Sequence, residues 1–251
     1  MTESMESQGL EPRRTMPALL HTVYAAYAWS AFLVMGTLTM LLALLLPGLK
    51  LRRKLARRMS RLTLRMAGMP LDIRSLQHLP EGQCVIVANH ASYIDGVVMT
   101  AVLPPRFGFV IKREMSRVPL AGLLLKRLGS EFVERFNRQR GAADARRMMR
   151  TASNGHSLVF FPEGTFSPQP GLLKFHTGAF VTAAKVGCPV VPAVVRGTRR
   201  ALPPKTALPH PSRIQVEFLP ALPVSSESVE LRDQARMAIL SELREPDLSA
   251  T

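Results

Sequence analysis

Residues 15–49 contain no Asp, Glu, Lys or Arg, a run of 35 positions in a chain of 251, and no other feature constrains the fold as strongly. Within it, residues 24–46 also lack proline. A helix that crosses the hydrocarbon core needs about 20 apolar residues. Tyr24, Tyr27 and Trp29 sit near one end of the run, where amphipathic rings favour the membrane–water boundary. The apolar core of a cleaved signal peptide is about 7–15 residues, shorter than this. A buried helix of a soluble domain is the competing reading, but no strand pattern lies nearby to cover it. A membrane-embedded segment is expected, preceded by a flexible N-terminus over residues 1–14.

The run ends in a block of positive charge. Residues 50–65 hold eight bases and no acid, while Leu51, Leu55, Met59, Leu62 and Met66 recur at helical spacing. Such a helix can lie in the lipid interface with its arginines near anionic head groups. The plainer alternative is a stop-transfer cluster. Under either reading the positive-inside bias puts the following domain on the cytoplasmic side of the cell membrane. A single span and a re-entrant hairpin bent at Gly36 both fit the sequence. Residues 15–66 are thus expected to form the anchor, and residues 67–251 one soluble domain.

Overall, 33 Lys+Arg oppose 18 Asp+Glu, a net charge of +15. Arginine makes up 26 of the 33 bases, the residue suited to forked contacts with phosphate or carboxylate. That points to an anionic partner. Nucleic acid is disfavoured, because aromatics are only 6% of the chain and no reading motif is present. Two cysteines, Cys84 and Cys188, are too few for a disulfide framework or a structural zinc site, and no metal is expected.

Past residue 70, short apolar runs alternate with helical stretches. Strands are expected over 84–88, 107–111, 132–133, 157–161, 190–195 and 213–219. Helices are expected over 96–103, 120–128, 141–153, 178–186 and 226–243, the last capped by serines. Alternating strands and helices imply an α/β fold: one domain with a mixed, largely parallel sheet flanked by helices.

Three clusters follow strand ends, where ligand sites collect in open α/β sheets. Asn89-His90-Ala91-Ser92-Tyr93-Ile94-Asp95 pairs a histidine with a carboxylate, a general base and its orienting partner. Five residues of continuous helix would turn Asp95 about 140° from His90, so a bend must lie between them. Ser92 and Asp95 also match a capping box, and both readings stay open. Gly129-Ser130-Glu131-Phe132-Val133-Glu134-Arg135 puts a guanidinium beyond a short strand, where it suits phosphate. Phe160-Phe161-Pro162-Glu163-Gly164-Thr165-Phe166-Ser167 sets a carboxylate at a strand end before a flexible glycine, where it can bind a hydroxyl, orient a neighbouring base or cap a helix. Pro189 and Pro192 bound a strand that shapes a wall.

In order and spacing, this set resembles the glycerolipid acyltransferase family that acylates lysophosphatidic acid. His90 and Asp95 match its N-H-x4-D motif. Gly129, Phe132 and Arg135 match G-x-x-F-x-x-R, and Glu163, Gly164 and Thr165 match E-G-T. Pro192 matches the last block, and Lys112 resembles a lysine found between the first two. The resemblance implies that His90, oriented by Asp95, deprotonates an acceptor hydroxyl that attacks the thioester of acyl-CoA or acyl-carrier protein. These are co-substrates, and no cofactor or acyl-enzyme is implied. It further implies that Arg135, Glu163, Gly164 and Thr165 bind the acceptor, a lysophospholipid drawn from membrane lipids. The sequence departs from the pattern at Phe166, where the family usually carries arginine, and Lys174, Lys112 or Arg135 is left to supply the missing cation to the acceptor. The departure also opens other acceptors, such as another lysophospholipid, a lyso-ornithine lipid or glycerol 3-phosphate.

Overall fold

The computed structural model describes residues 17–134 and 138–249. The stretch expected to be flexible, residues 1–14, and the candidate Arg135 lie outside them. Helix α1 (Ala18–Leu45) leads into α2 (Leu49–Met66), then β1 (Leu71–Arg74), β2 (Val85–Ala88), α3 (Asp95–Val102) and β3 (Phe107–Lys112). The chain continues through α4 (Ala121–Arg127), β4 (Glu131–Val133), α5 (Arg138–Ser153), β5 (Ser157–Phe160) and α6 (Gly178–Val186). It closes with β6 (Val190–Arg196), the short α7 (Thr198–Ala201), β7 (Ile214–Phe218) and α8 (Ser228–Leu243).

The seven strands lie in the order β1-β7-β6-β2-β5-β3-β4. All neighbours are parallel except β6 and β7. Strand β2 is buried along its whole length, as expected of a parallel strand covered on both faces. Its side chains divide by the two-residue period: Ile86 and Ala88 pack with α1, α2 and α3, while Val85 and Val87 pack with α5, α6 and α8. Registers Val87↔Phe160 and Val87↔Pro192 bring the carboxyl ends of β2, β5 and β6 together, so the loops that follow them meet.

Of the two readings left open for the apolar run, the bend at Gly36 is absent: α1 runs unbroken past it, about 42 Å long at 1.5 Å per residue, and the turn comes at Pro47-Gly48. The edge strand β1 was not foreseen, because its four residues, Leu-Asp-Ile-Arg, are too short to show a period. No side chain caps the start of α8. The Ser225 hydroxyl accepts the Glu227 N–H (3.0 Å) just before the helix.

Helix α1 is the described helix long and apolar enough to cross a membrane. One face, with Ala25, Ala28, Ala31, Met35, Met40 and Ala43, is buried, while Leu19, Val23, Leu33, Val34 and Leu45 are exposed. Its rings do not merely float at a boundary. Tyr24 donates to Ala67 O (2.6 Å), Tyr27 to Met66 O (3.0 Å) and Trp29 Nε1 to Ala207 O (2.6 Å).

Helix α2 also departs from a helix with all its arginines turned to lipid. Arg53 is buried and donates to the carbonyls of Leu128 (2.9 Å), Arg106 (3.3 Å) and Gly129 (3.2 Å). Arg57 and Arg61, one and two turns on, donate to Val102 O (3.0 Å) and Ala101 O (2.7 Å). The last carbonyls of a helix lack intrahelical donors, and this row of guanidiniums supplies them for α3. Lys50, Lys54, Arg58 and Arg65 remain exposed beside Leu51, Leu62 and Met66. Gly129 is fixed by this packing: its φ is +68°, and a Cβ there would lie 3.0 Å from Leu49 and 3.2 Å from Arg53 Nη2.

Candidate active site

The site is built where β2 ends. Asn89 is buried and continues the sheet with its side chain: Nδ2 donates to Val195 O (2.9 Å) and Oδ1 accepts Val195 N–H (2.7 Å). An amide standing in for a peptide lets the main chain leave β2 without orphaning β6. The chain then loops over the start of α3, and Asp95, the first residue of that helix, reaches back. Its Oδ2 accepts from His90 Nδ1 (2.7 Å), Ala91 N–H (2.7 Å) and Ser92 N–H (2.9 Å). The bend required between His90 and Asp95 is therefore present. The capping-box alternative holds in one arm only, since the Ser92 hydroxyl donates to Leu202 O (2.8 Å) and does not cap Asp95 N–H.

Asp95 is fully buried, and a carboxylate out of water needs donors such as these three and the positive end of a helix. Because a carboxylate only accepts, the Nδ1 proton sits on His90, and Nε2 is left as its basic nitrogen. The ring is held between two aromatics. Phe161 stacks on it (centroids 4.6 Å, 24° apart) and Phe166 meets it edge-on (4.6 Å, 74°). Tyr93 in turn meets the Phe166 ring at 4.8 Å.

Glu163 follows the neighbouring strand, β5, through a turn closed by Gly164 N–H to Phe161 O (2.9 Å). Gly164 has φ +71°, a left-handed conformation that glycine adopts without penalty. Glu163 is only 4% exposed. Its Oε1 accepts His90 N–H (2.6 Å) and its Oε2 accepts Leu173 N–H (2.9 Å). Each oxygen thus accepts one main-chain N–H, and through Oε1 Glu163 braces the backbone of His90. Burial pushes this carboxyl up to about 7; the two N–H donors and Arg199 pull against that shift and Asp95 adds to it.

Beside the histidine opens a cleft of about 170 Å³ lined by Tyr93, Lys112, Thr165, Phe166, Pro168, Pro204 and Lys205. Of the expected acceptor-binding residues, Lys112 and Thr165 are brought here. Lys174 is exposed and does not line this cleft. Sequence reasoning missed the structural work of Asn89, though it sits inside the first motif. It also missed Lys205, whose proline-rich surroundings look like an ordinary loop. The cysteines are buried away from this chemistry, and burial pushes the Cys84 thiol up to about 11, so it holds its proton.

A family model described as Acyltransferase matches residues 70–196, the stretch that carries every one of these strand-end residues up to β6. The chain belongs to the acyltransferase family. Among its relatives is a chloroplastic 1-acyl-sn-glycerol-3-phosphate acyltransferase of Brassica napus, 34% identical over 134 residues, 53% of this chain and 39% of that protein. Another is a lyso-ornithine lipid O-acyltransferase of Pseudomonas aeruginosa, 28% identical over 194 residues, 69% of this chain and 72% of that one. Against three of the plant and algal relatives, the match spans only 38% to 49% of their length. The crystal structure of a 1-acyl-sn-glycerophosphate acyltransferase from Thermotoga maritima shares the fold, with a TM-score of 0.74 at 21% identity, covering 90% of this chain and 94% of that one. As an acyltransferase, the chain keeps the His90–Asp95 pair in hydrogen-bonded register, and its departure from the family pattern, Phe166, stands directly against the histidine.

Proposed function

We propose that this acyltransferase moves a fatty acyl group from acyl-CoA or acyl-carrier protein to the free hydroxyl of 1-acyl-glycerol-3-phosphate, giving phosphatidate for phospholipid synthesis. The observation that carries the reading is His90 Nδ1 held 2.7 Å from a buried Asp95, which leaves Nε2 basic on a ring packed against Phe166, a wall of the cleft that bears two lysines. Nε2 takes the hydroxyl proton as the oxygen attacks the thioester carbonyl. The C–S bond then breaks, and the thiolate leaves with the proton from the imidazolium. Asp95 stabilises that imidazolium, a role that needs no acyl-enzyme, resident cofactor or metal. The enzyme works at the cell membrane with its catalytic domain facing the cytoplasm, its partners being membrane lipids, the lysophospholipid acceptor and the acyl donor, and no nucleic acid.

Phe166 favours one second reading, an acceptor other than lysophosphatidate, such as a lyso-ornithine lipid or another lysophospholipid. A panel of acceptors with labelled acyl-CoA separates the two. Labelled phosphatidate as the main product supports the first reading, and acylation of another lysolipid alone refutes it. Phe166→Arg shifting turnover toward lysophosphatidate ties the preference to that position. A catalytically silent lipid-binding protein predicts no turnover with any acceptor.

A further inference from the structure

We infer that Lys205 is the cation that receives the acceptor's anionic head group, in place of the arginine absent at position 166. The inference rests on the proposed acyltransferase activity and adds to it a residue outside the family's motifs. Position 166 contributes a ring to the cleft wall, so the charge must come from elsewhere. Lys205 and Lys112 both line the same cleft as Thr165 and Phe166, and neither is ion-paired among the described residues.

The backbone singles out Lys205. It sits third in a turn closed by Thr206 N–H to Pro203 O (3.3 Å), after Pro204 and with φ +63°. Proline second and positive φ third define a type II turn, in which the third position favours glycine. A long L-side chain there is disfavoured on steric grounds, and such residues cluster where the side chain is used. The turn is also held at both ends. Ser92, between His90 and Asp95, donates to Leu202 O (2.8 Å), and Trp29 of α1 donates to Ala207 O (2.6 Å). The ammonium is thus carried on a loop pinned to the catalytic loop and to the apolar helix.

An ammonium recognises charge without the forked geometry of arginine. The ligand class is therefore a terminal anion, a phosphate monoester or the carboxylate of an amino-acid head group. The test uses the full chain in mixed micelles, comparing wild type with Lys205→Gly and Lys205→Ala. Glycine relieves the turn, so its Tm rises, while KM for lysophosphatidate rises about tenfold, the loss of one charged hydrogen bond. KM for acyl-CoA stays unchanged. Adding Phe166→Arg to Lys205→Ala brings KM for lysophosphatidate back down. An unchanged KM in a folded Lys205→Gly protein overturns the inference, as does a rise in KM for acyl-CoA alone. If the wild type acylates lyso-ornithine lipid and not lysophosphatidate, the proposed activity fails, and KM for that acceptor decides Lys205 by the same criteria. Equilibrium binding of lysophosphatidate to His90→Ala, with and without Lys205→Gly, reads the contact without turnover: equal affinities overturn it.

Discussion

At the level of single residues, the base and its partner are the most exposed to test. Asp95→Asn offers Nδ1 an amide in place of a pure acceptor, which lets His90 carry its proton on the nitrogen meant to be basic. The expected result is a fall in kcat of about 10²–10⁴-fold with the fold intact, measured by initial rates beside circular dichroism. Glu163 makes a different prediction. Its carboxyl titrates near 7 when folded and near 4.5 when unfolded, so the folded state binds the extra proton. The stability this confers is complete below pH 4.5 and is lost as pH rises through 7, by up to about 3 kcal/mol. Between pH 5 and 8 the Tm of the wild type should therefore fall more than that of Glu163→Gln, and parallel curves would contradict the account. The His90–Asp95 pairing was legible in the sequence because residue types and spacing alone specify it. The task of Glu163 was legible only as one of two readings, because a loop carboxylate that binds a hydroxyl and one that orients a neighbouring base look alike in sequence. Only the adjacency of β2 and β5, a long-range pairing, distinguishes them.

Elements explain why the site holds its shape. After α8 the chain returns along the loop that follows Phe166: Leu172 N–H donates to Pro246 O (2.9 Å) and Leu248 N–H to Leu172 O (3.0 Å). Glu245 Oε2 accepts both Gly171 N–H (2.6 Å) and Arg199 Nη2 (3.2 Å), and Arg199 also donates to Ser167 O. One carboxylate thus pins both ends of the 167–171 loop. Glu245→Ala should lower stability by about 1–3 kcal/mol, the penalty for unpaired buried donors, and raise hydrogen exchange within residues 167–171. Unchanged exchange there would show that the contacts are not limiting. The strands and helices of the central fold were readable from period and apolar runs. This closing strap was not, since residues 244–249 have neither period nor apolar run, and their binding is by individual polar contacts.

On the scale of the whole molecule, the charge of +15 divides its work. Part of the basic helix caps carbonyls within the protein, and the rest stays exposed beside apolar side chains. Binding to vesicles rich in anionic lipid should therefore weaken as salt rises, while some affinity persists through the exposed apolar face of α1. Co-sedimentation across a salt series reads this, and salt-independent binding would assign the contact to apolar insertion alone. Charge density and the apolar run were plain in the sequence. The antiparallel packing of α1 on α2, and the arginines that turn inward, depend on tertiary partners that no local pattern reveals. Catalysis turns on the Asp95-oriented imidazole of His90 moving the acceptor's proton. Its most direct test is the initial rate of labelled phosphatidate formation by wild type and by folded His90→Ala, at saturating acyl-CoA and lysophosphatidate. With its base removed, the His90→Ala protein should lose at least about 100-fold in rate. Equal rates would contradict it.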